Sequence, residues 1–183
     1  VVADINRDGQ PDVLVGNTGQ TNKLYLNTGS GSFAAATNIG GETDSTNAMA
    51  VADINGDGWL DVVVGGDGDR NKRYLNNRSG GFGAASNITS DYDRSYAVAL
   101  ADMDGDGDMD MVEGIYAGRN KLHFNNGSGS FTAPTFIGSE TDDTYAIAVA
   151  DINGDGLLDV VTGNDDQTNK LYLNTGSGSF AAA

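Results

Sequence analysis

Four Asp-rich loops are the part of this sequence whose residue types and spacing could do chemistry. They read DINRDGQPD, DINGDGWLD, DMDGDGDMD and DINGDGLLD, and they begin at Asp4, Asp53, Asp102 and Asp151. Each loop has an oxygen-bearing side chain at positions 1, 3, 5 and 9 and a glycine at position 6. Ca²⁺ is a hard cation that takes about 6–8 oxygen ligands, and a backbone carbonyl at position 7 can complete such a set. The pattern therefore predicts one calcium site in each loop.

The predicted ligands form one set per loop, with a glycine at position 6 that permits the sharp turn. Positions 1, 3, 5 and 9 contribute side chains, and position 7 contributes its backbone carbonyl. The sets are Asp4, Asn6, Asp8, Gln10 and Asp12; Asp53, Asn55, Asp57, Trp59 and Asp61; Asp102, Asp104, Asp106, Asp108 and Asp110; and Asp151, Asn153, Asp155, Leu157 and Asp159.

Other readings of these loops are weaker. A single loop of this kind could be a solvated turn, but four loops in register favour metal binding. An EF-hand needs Glu at position 12, where Val15 and Val64 stand, and strand patterns flank the loops. Mg²⁺ prefers fewer protein ligands and more water, so Ca²⁺ is the better match.

The loops belong to a repeat with a constant period of 49 residues. Successive loop starts keep this spacing, and so do Phe33, Phe82, Phe131 and Phe180. The segment 20–36 is identical to 167–183. A fixed period of this length is typical of propeller blades or related arrays.

Within one unit the hydrophobic periods are those of strands rather than helices. Small and larger apolar residues alternate over 48–52, a β-branched run covers 61–65, and polar and apolar residues alternate over 22–27. Phe33 is expected to open a fourth, weaker strand. We predict an all-β chain: one β-propeller unit of four 49-residue, four-stranded blades at about 1–49, 50–98, 99–147 and 148–183, either alone or as part of a larger propeller or assembly. A β-solenoid is the alternative, although its repeats are usually shorter.

Composition narrows the function classes. The formal net charge is -16, which disfavours nucleic acid because phosphate binding needs a basic face. The chain contains no Cys, so it has neither disulfides nor thiolate metal sites. No apolar stretch approaches the roughly 18 residues of a transmembrane helix.

The DxDGDG-type loops, the LYLNTGSGSF segment and the ETDSTYA-like segments resemble FG-GAP/VCBS repeats over essentially the whole chain. Such repeats occur in integrin α-chain propellers and in large secreted bacterial proteins. The resemblance implies a calcium-bearing, integrin-α-like propeller that is secreted or at the cell surface and serves adhesion or ligand binding. The family's calcium positions correspond to the ligands named above. Arg7 departs from the pattern, because the other loops have Gly56, Gly105 and Gly154 there, so the first site is expected to be the weakest.

The loops on the opposite face of the propeller would offer polar and aromatic groups to a glycan or protein ligand. The alternative for any single residue is that it is a solvated surface residue with no ligand. Asp44, Asp93 and Asp142 recur at the repeat period, which favours a turn role. Packing is the better interpretation for Tyr25, Tyr74, Tyr172 and His123. The candidates on this face are Asn17, Thr18, Gln20, Thr21, Asp67, Asp69, Arg70, Asn71, Tyr116, Arg119, Asn120, Asp165, Asp166, Gln167 and Thr168, with Glu42, Asp44, Asp91, Tyr92, Asp93, Arg94, Glu140 and Asp142 between blades.

No nucleophile elbow, phosphate loop or unexplained carboxylate pair points to an enzyme. The sequence therefore predicts a non-catalytic, extracellular calcium-binding module for adhesion or recognition. Two alternatives remain: a structural repeat of a self-assembling surface or matrix polymer, and an accessory module of a larger secreted enzyme. Because Val1 falls midway through a predicted inner strand, further repeats or self-association are expected.

Overall fold

The fold is described for residues 1–182 by a computed structural model, and it consists of strands, turns and loops. The strands are β1 (Val2–Ala3), β2 (Asp12–Val15), β3 (Asn22–Tyr25), β4 (Asn27–Gly29), β5 (Ser32–Phe33), β6 (Thr37–Ile39), β7 (Thr46–Ala52), β8 (Asp61–Gly66), β9 (Lys72–Tyr74), β10 (Ser86–Asn87), β11 (Ser95–Ala101), β12 (Asp110–Ile115), β13 (Lys121–His123), β14 (Thr135–Phe136), β15 (Thr144–Ala150), β16 (Asp159–Asn164), β17 (Lys170–Asn174) and β18 (Phe180–Ala182).

Four antiparallel four-stranded sheets follow one another along the chain, which confirms the all-β, four-stranded repeat. Their orders are β1-β2-β3-β6, β7-β8-β9-β10, β11-β12-β13-β14 and β15-β16-β17-β18. Each Asp-rich loop joins the first two strands of its sheet. Because neighbouring strands are antiparallel, the loops after the second and fourth strands lie at the other end of the sheet.

The fourth strand differs from its prediction in the first three sheets. Phe33 belongs to β5, which pairs with β4 in a two-stranded ribbon, while Phe82 and Phe131 form only isolated bridges with Asn76 and Asn125. The fourth strands start several residues later, at β6, β10 and β14. The glycine- and serine-rich segment therefore closes a small hairpin before the chain returns to the sheet. Only in the last sheet does a phenylalanine, Phe180, open the fourth strand.

The second, third and fourth sheets pack through their first strands. β11 lies against both β7 and β15. Glycines on the second strands permit this approach: a Cβ on Gly65 would lie 2.9 Å from Val98, and one on Gly114 would lie 2.9 Å from Ile147. Ala97 is buried at this boundary. No comparable strand packing joins the first sheet to the fourth within residues 1–182.

The hydrophobic core is divided among the boundaries between sheets. One cluster joins Ile5, Leu14 and Leu24 of the first sheet to Val62 and Tyr74 of the second. Similar clusters form around Ile54 and Met111, and around Met103 and Val160. The sheets begin at Thr46, Ser95 and Thr144, a few residues before the approximate limits expected for the repeat units. The described part of the chain contains no helix long and apolar enough to cross a membrane.

Candidate calcium loops and ligand face

The four Asp-rich loops share one turn geometry, which the second loop illustrates. The two carboxylate oxygens of Asp53 accept hydrogen bonds from the N–H groups of Asp57 (3.1 Å) and Gly58 (2.6 Å). The Asn55 side chain accepts from the same Asp57 N–H at 3.0 Å. Gly56 and Gly58 have φ of 70° and 86°, the left-handed region that glycine enters readily. The side-chain oxygens at positions 1, 3 and 5 therefore converge on a short, tightly wound backbone.

The third loop carries the densest group of carboxylates. Oxygens of Asp102, Asp104 and Asp106 all lie within 4.8 Å of one another. Burial raises the pKa of Asp104, and the charges of Asp106 and Asp102 raise it further. Carboxylates this close repel one another unless a cation or protons neutralise them. The donor set consists of hard oxygens and thus fits Ca²⁺.

The aspartate at position 9 has a structural task as well as a predicted ligand role. Asp61 is fully buried, and its two oxygens accept the N–H groups of Ile54 (3.2 Å) and Asn76 (2.7 Å). It thus ties the start of its loop to the end of the third strand, and its remaining lone pairs stay available to a cation. Asp12, Asp110 and Asp159 repeat both bonds in their own sheets.

Burial also changes the ionisation of these position-9 carboxyls. It raises the pKa of Asp61, and it raises the pKa of Asp110 to about 6, with the charges of Asp104 and Asp106 adding to the effect. A bound dication would relieve this cost, because it favours the ionised form.

Position 7 lies at the turn of each loop, where its N–H donates to the position-5 carboxylate. The distances are 2.8 Å from Gln10 to Asp8 and 2.9 Å from Trp59 to Asp57. Asp108 and Leu157 make the same bond, also at 2.9 Å.

Two arginines approach the second loop. Arg7 adopts a φ of 60° at the position that is glycine in the other loops, and its guanidinium stacks 4.7 Å from the ring of Trp59. Arg78 also has a φ of 60°, and its guanidinium lies 2.9 Å from the carboxylate of Asp57. Burial opposes ionisation of Asp57, but the N–H of Trp59 and the Arg78 contact hold the pKa of this carboxyl below its usual range.

Arg78 was not predicted from the sequence, although a comparison of the repeats could have identified it. The corresponding residues of the other sheets are Gly29, Gly127 and Gly176, so a charged side chain at this position is an exception.

Several residues predicted for the ligand face instead hold the fold together. Asn71 and Asn120 are buried, and the Asn120 amide donates to the Thr144 hydroxyl at 3.0 Å. The periodic aspartates, for which a turn role was the favoured prediction, pair with lysines 28 positions later in the chain: Lys72 with Asp44, Lys121 with Asp93, and Lys170 with Asp142. Glu42 and Glu140 accept hydrogen bonds from Tyr74 and Tyr172, each at 3.1 Å.

Other candidates on this face remain exposed. They are Thr18, Gln20, Tyr92, Arg94, Asp165, Asp166, Gln167 and Thr168.

An aromatic cluster occupies the same face, where β11 and β15 begin. The ring centroids of Tyr96 lie 5.5 Å from Tyr116 and 4.8 Å from Tyr145, and the guanidinium of Arg94 lies 4.6 Å from the Tyr116 ring. Arg94 also donates to Asp67 at 2.7 Å. Tyr116 and Arg94 were predicted for this face from the sequence, whereas Tyr96 and Tyr145 were not. Aromatic faces beside charged hydrogen-bonding groups are suited to sugars and to protein side chains.

His123 lies in a buried polar network rather than in a purely apolar contact. Its Nε2 is 3.0 Å from Glu113, which also accepts from Ser95 (2.5 Å) and from Asn71 (2.8 Å). Burial disfavours the charge of Glu113, but these hydrogen bonds hold the pKa of its carboxyl below the usual range. The network is packed between sheets, which agrees with a structural role for His123.

The repeat and the Asp-rich loops place the chain in a known family. A family model described as FG-GAP-like repeat matches residues 4–64, 53–113, 114–162 and 151–183. The chain belongs to the FG-GAP-like repeat family.

Solved structures with the same fold fall into different functional settings. An Agrocybe aegerita lectin, described for its recognition of non-reducing terminal N-acetylglucosamine, gives a TM-score of 0.72 at 24% identity, covering 100% of this chain and 50% of that chain. BBS1N, solved in complex with ARL6DN, gives 0.64 at 14% identity, with coverages of 94% and 52%. The V. cholerae biofilm matrix protein Bap1 gives 0.57 at 17% identity, with coverages of 93% and 25%.

These neighbours are β-propeller-like and share the fold with this FG-GAP chain, which spans from a quarter to about half of their lengths. A search of curated protein sequences gave no match.

Proposed function

We propose that this FG-GAP chain is a non-catalytic, calcium-binding recognition module that acts outside the cell. The observation that carries the calcium part is the carboxylate cluster of Asp102, Asp104 and Asp106, with its oxygens within 4.8 Å of one another. The same loop geometry recurs in the other three sheets, so each loop would hold one ion through positions 1, 3, 5, 7 and 9. The ion would supply charge neutralisation and cross-linking of the loop rather than reaction chemistry.

The ligand would bind at the opposite end of the sheets, on the face that carries the Tyr96–Tyr116–Tyr145 cluster. Tyrosine rings there lie beside Arg94 and Asp67, so flat apolar surface and directional hydrogen bonds are close together. That combination suits a glycan, whose rings have an apolar face and a rim of hydroxyls. Support for a glycan comes from the Agrocybe aegerita lectin, which has the same fold and recognises a sugar. A protein ligand is the alternative, because BBS1N also has this fold and was solved in complex with ARL6DN.

The calcium part is tested by thermal unfolding and calorimetry. Calcium that binds only the folded chain stabilises it by RT ln(1 + [L]/Kd), which is about 2.7 kcal/mol per site at a hundredfold excess over Kd. Melting temperature should rise on adding Ca²⁺ to chelator-treated protein, and Mg²⁺ at the same concentration should have a smaller effect. Titration should give several sites per chain. Identical melting curves with calcium and with chelator would overturn the proposal.

The ligand part is tested separately with a glycan array in calcium. Tyr145→Ala should lose binding to any glycan retained by the parent chain. Tyr25→Phe, which changes a tyrosine outside the cluster, should leave it unchanged. Equal binding by the parent and Tyr145→Ala would exclude this cluster as the site.

A further inference from the structure

A tyrosine of the third strand fills the boundary between the first and second sheets. The Tyr74 hydroxyl donates to Glu42 at 3.1 Å, and the Tyr74 ring lies so close to Gly40 that a Cβ there would clash with it. The boundary between the third and fourth sheets repeats these contacts with Tyr172, Glu140 and Gly138. Both boundaries are therefore closed by the same three residue types.

The boundary between the second and third sheets has a different residue at each of these three positions. His123 stands at the position of the tyrosines, Thr89 at that of the glycines and Asp91 at that of the glutamates. The backbone differs as well, because Gly40 and Gly138 both have a φ of 71° whereas Thr89 does not adopt a positive φ. A cavity of about 310 Å³ lies at this boundary, and His123, Thr89 and Asp91 all line it.

The lining of this cavity combines apolar surface with hydrogen-bonding groups. Ile88 and Phe131 supply the apolar part, and Thr89 and Thr132 add hydroxyl groups. The Oδ1 atom of Asp91 is buried and has no hydrogen-bond partner among the described residues. A buried acceptor without a donor is unfavourable, so a ligand that donates a hydrogen bond to Asp91 would remove this cost.

The charges around Asp91 favour a neutral donor. The ammonium group of Lys121 lies 2.5 Å from the other carboxylate oxygen of Asp91, and it also pairs with Asp93. A cationic ligand at Asp91 would therefore face Lys121, and an anionic ligand would face two carboxylates. A hydroxyl group can donate to Asp91 without either repulsion.

We infer that the cavity between the second and third sheets binds a neutral, polyhydroxylated ligand of monosaccharide size. Pockets for small ligands begin at about 300 Å³, so the volume suits one sugar ring. The apolar face of a pyranose would pack on Phe131, and its hydroxyl rim would donate to Asp91. The cavity shares no lining residue with the Tyr96–Tyr116–Tyr145 cluster. It is thus a second site, which does not rest on the proposed function.

His123 provides a reporter for this site, because it is the only histidine in the chain and it lines the cavity. Protein labelled with ¹³C in the histidine ring is titrated in calcium with D-glucose, D-galactose, D-mannose and N-acetylglucosamine, followed by NMR. At least one sugar should shift the ring signals saturably. Butylamine and acetate at the same concentrations should produce no saturable shift.

Two pairs of variants test the position of the ligand. Ala133→Phe places a ring at an exposed part of the cavity lining and should abolish the shift, whereas Ala84→Phe, at the same repeat position of the second sheet, should bind as the parent does. Asp91→Ala should weaken binding by about tenfold or more, because it removes a charged acceptor. Glu42→Ala, at the boundary that Tyr74 fills, should leave binding unchanged. Melting curves check that all four variants are folded.

Tyr145→Ala separates this site from the tyrosine cluster, and it should leave the His123 shifts unchanged. Absence of a saturable shift with all four sugars would overturn the inference, as would a shift that persists in Ala133→Phe or an equal shift with butylamine. Sugar binding that is lost in Tyr145→Ala but kept in Ala133→Phe would place the sugar at the tyrosine cluster. The inference would then fail while the proposed function stands.

Discussion

The amide of Asn76 provides a direct measure of how strongly adjacent sheets depend on each other. Its Oδ1 accepts from the Arg78 N–H at 2.8 Å, and its amide donates to Leu60 within the sheet and to Ile5 across the boundary, each at 3.0 Å. Asn27 is the natural control, because it makes the equivalent bonds to Gly29 (2.9 Å) and Pro11 (3.0 Å) but has no partner across a boundary. Substituting each by alanine therefore isolates the bond between sheets.

The size of the effect follows from burial. Ile5 is completely buried, so its carbonyl would lose a partner without gaining water. An unsatisfied buried acceptor costs about 1–3 kcal/mol, whereas an exposed bond contributes about 1 kcal/mol or less. Asn76→Ala should consequently reduce the free energy of unfolding by about 1–3 kcal/mol more than Asn27→Ala. In a chain of this length each kcal/mol lowers the melting temperature by about 2–4 °C.

The assay is urea unfolding of both variants and the parent in saturating calcium, at a concentration where the chain is monomeric. The midpoint should move clearly for Asn76→Ala and little for Asn27→Ala, with the slope of the transition unchanged. Equal losses for the two variants would show that the Ile5 contact contributes nothing, and the account of the sheet boundaries would have to be abandoned.

Four further expectations concern the loops and the buried network. Arg78→Gly should strengthen calcium binding at the second loop in calorimetric titration, because it removes a competing cation from Asp57 and a side chain from a φ of 60°; unchanged affinity would contradict this. Asp106→Ala should remove a tighter site than Asp8→Ala does, because the third loop has Asp104 where the first has Asn6; a larger loss for Asp8→Ala would reverse the ranking. Chelator-treated protein should gain about 1 kcal/mol of stability from pH 7 to pH 5, because the pKa of Asp110 is raised to about 6 and the folded chain takes up the proton first; in calcium the same acidification should destabilise, since protons displace the ion. Glu113→Gln should lower the melting temperature at neutral pH, because it replaces one of the two carboxylate oxygens that contact Ser95 and His123 by an amide NH2 group; an unaltered melt would argue against the network.

Much of the fold was predictable because every repeat has the same pattern of strand-forming and turn-forming residues. The constant period and the strand patterns predicted the four-stranded units, and the structure confirms them. The place of the fourth strand was wrong in three sheets because Phe33 and its equivalents suggested a strand start. The turn-forming segment before Phe33 instead folds into its own ribbon, and the chain needs several more residues to return to the sheet edge.

The site was predictable only in outline. In the third loop the carboxylates at positions 1, 3 and 5 lie close together, and calcium binding by the loop residues stays a prediction. The buried bonds of Asp61 to Ile54 and Asn76 could not be read from the loop alone, because Asn76 lies 15 residues further along the chain. The contact between Tyr96 and Tyr145 was not predicted for a related reason. It joins two sheets, and the periodicity within one repeat contains no information about side chains that meet across a boundary.

Some residues of this chain differ from those at the equivalent positions of the other repeats. Several of these differences lie in the third sheet. His123 and Asp91 stand where the second sheet has Tyr74 and Glu42, a pair that spans 3.1 Å in a hydrogen bond. Both replacements are shorter, and a cavity of about 310 Å³ opens beside them. His123 turns instead toward Glu113, which stands where the second sheet has Val64. His123→Tyr in the Glu113→Gln background should recover part of the stability that Glu113→Gln loses. The larger tyrosine ring refills the cavity, and the buried charge of Glu113 is no longer present. No recovery in a urea titration would show that the cavity does not accommodate the larger ring.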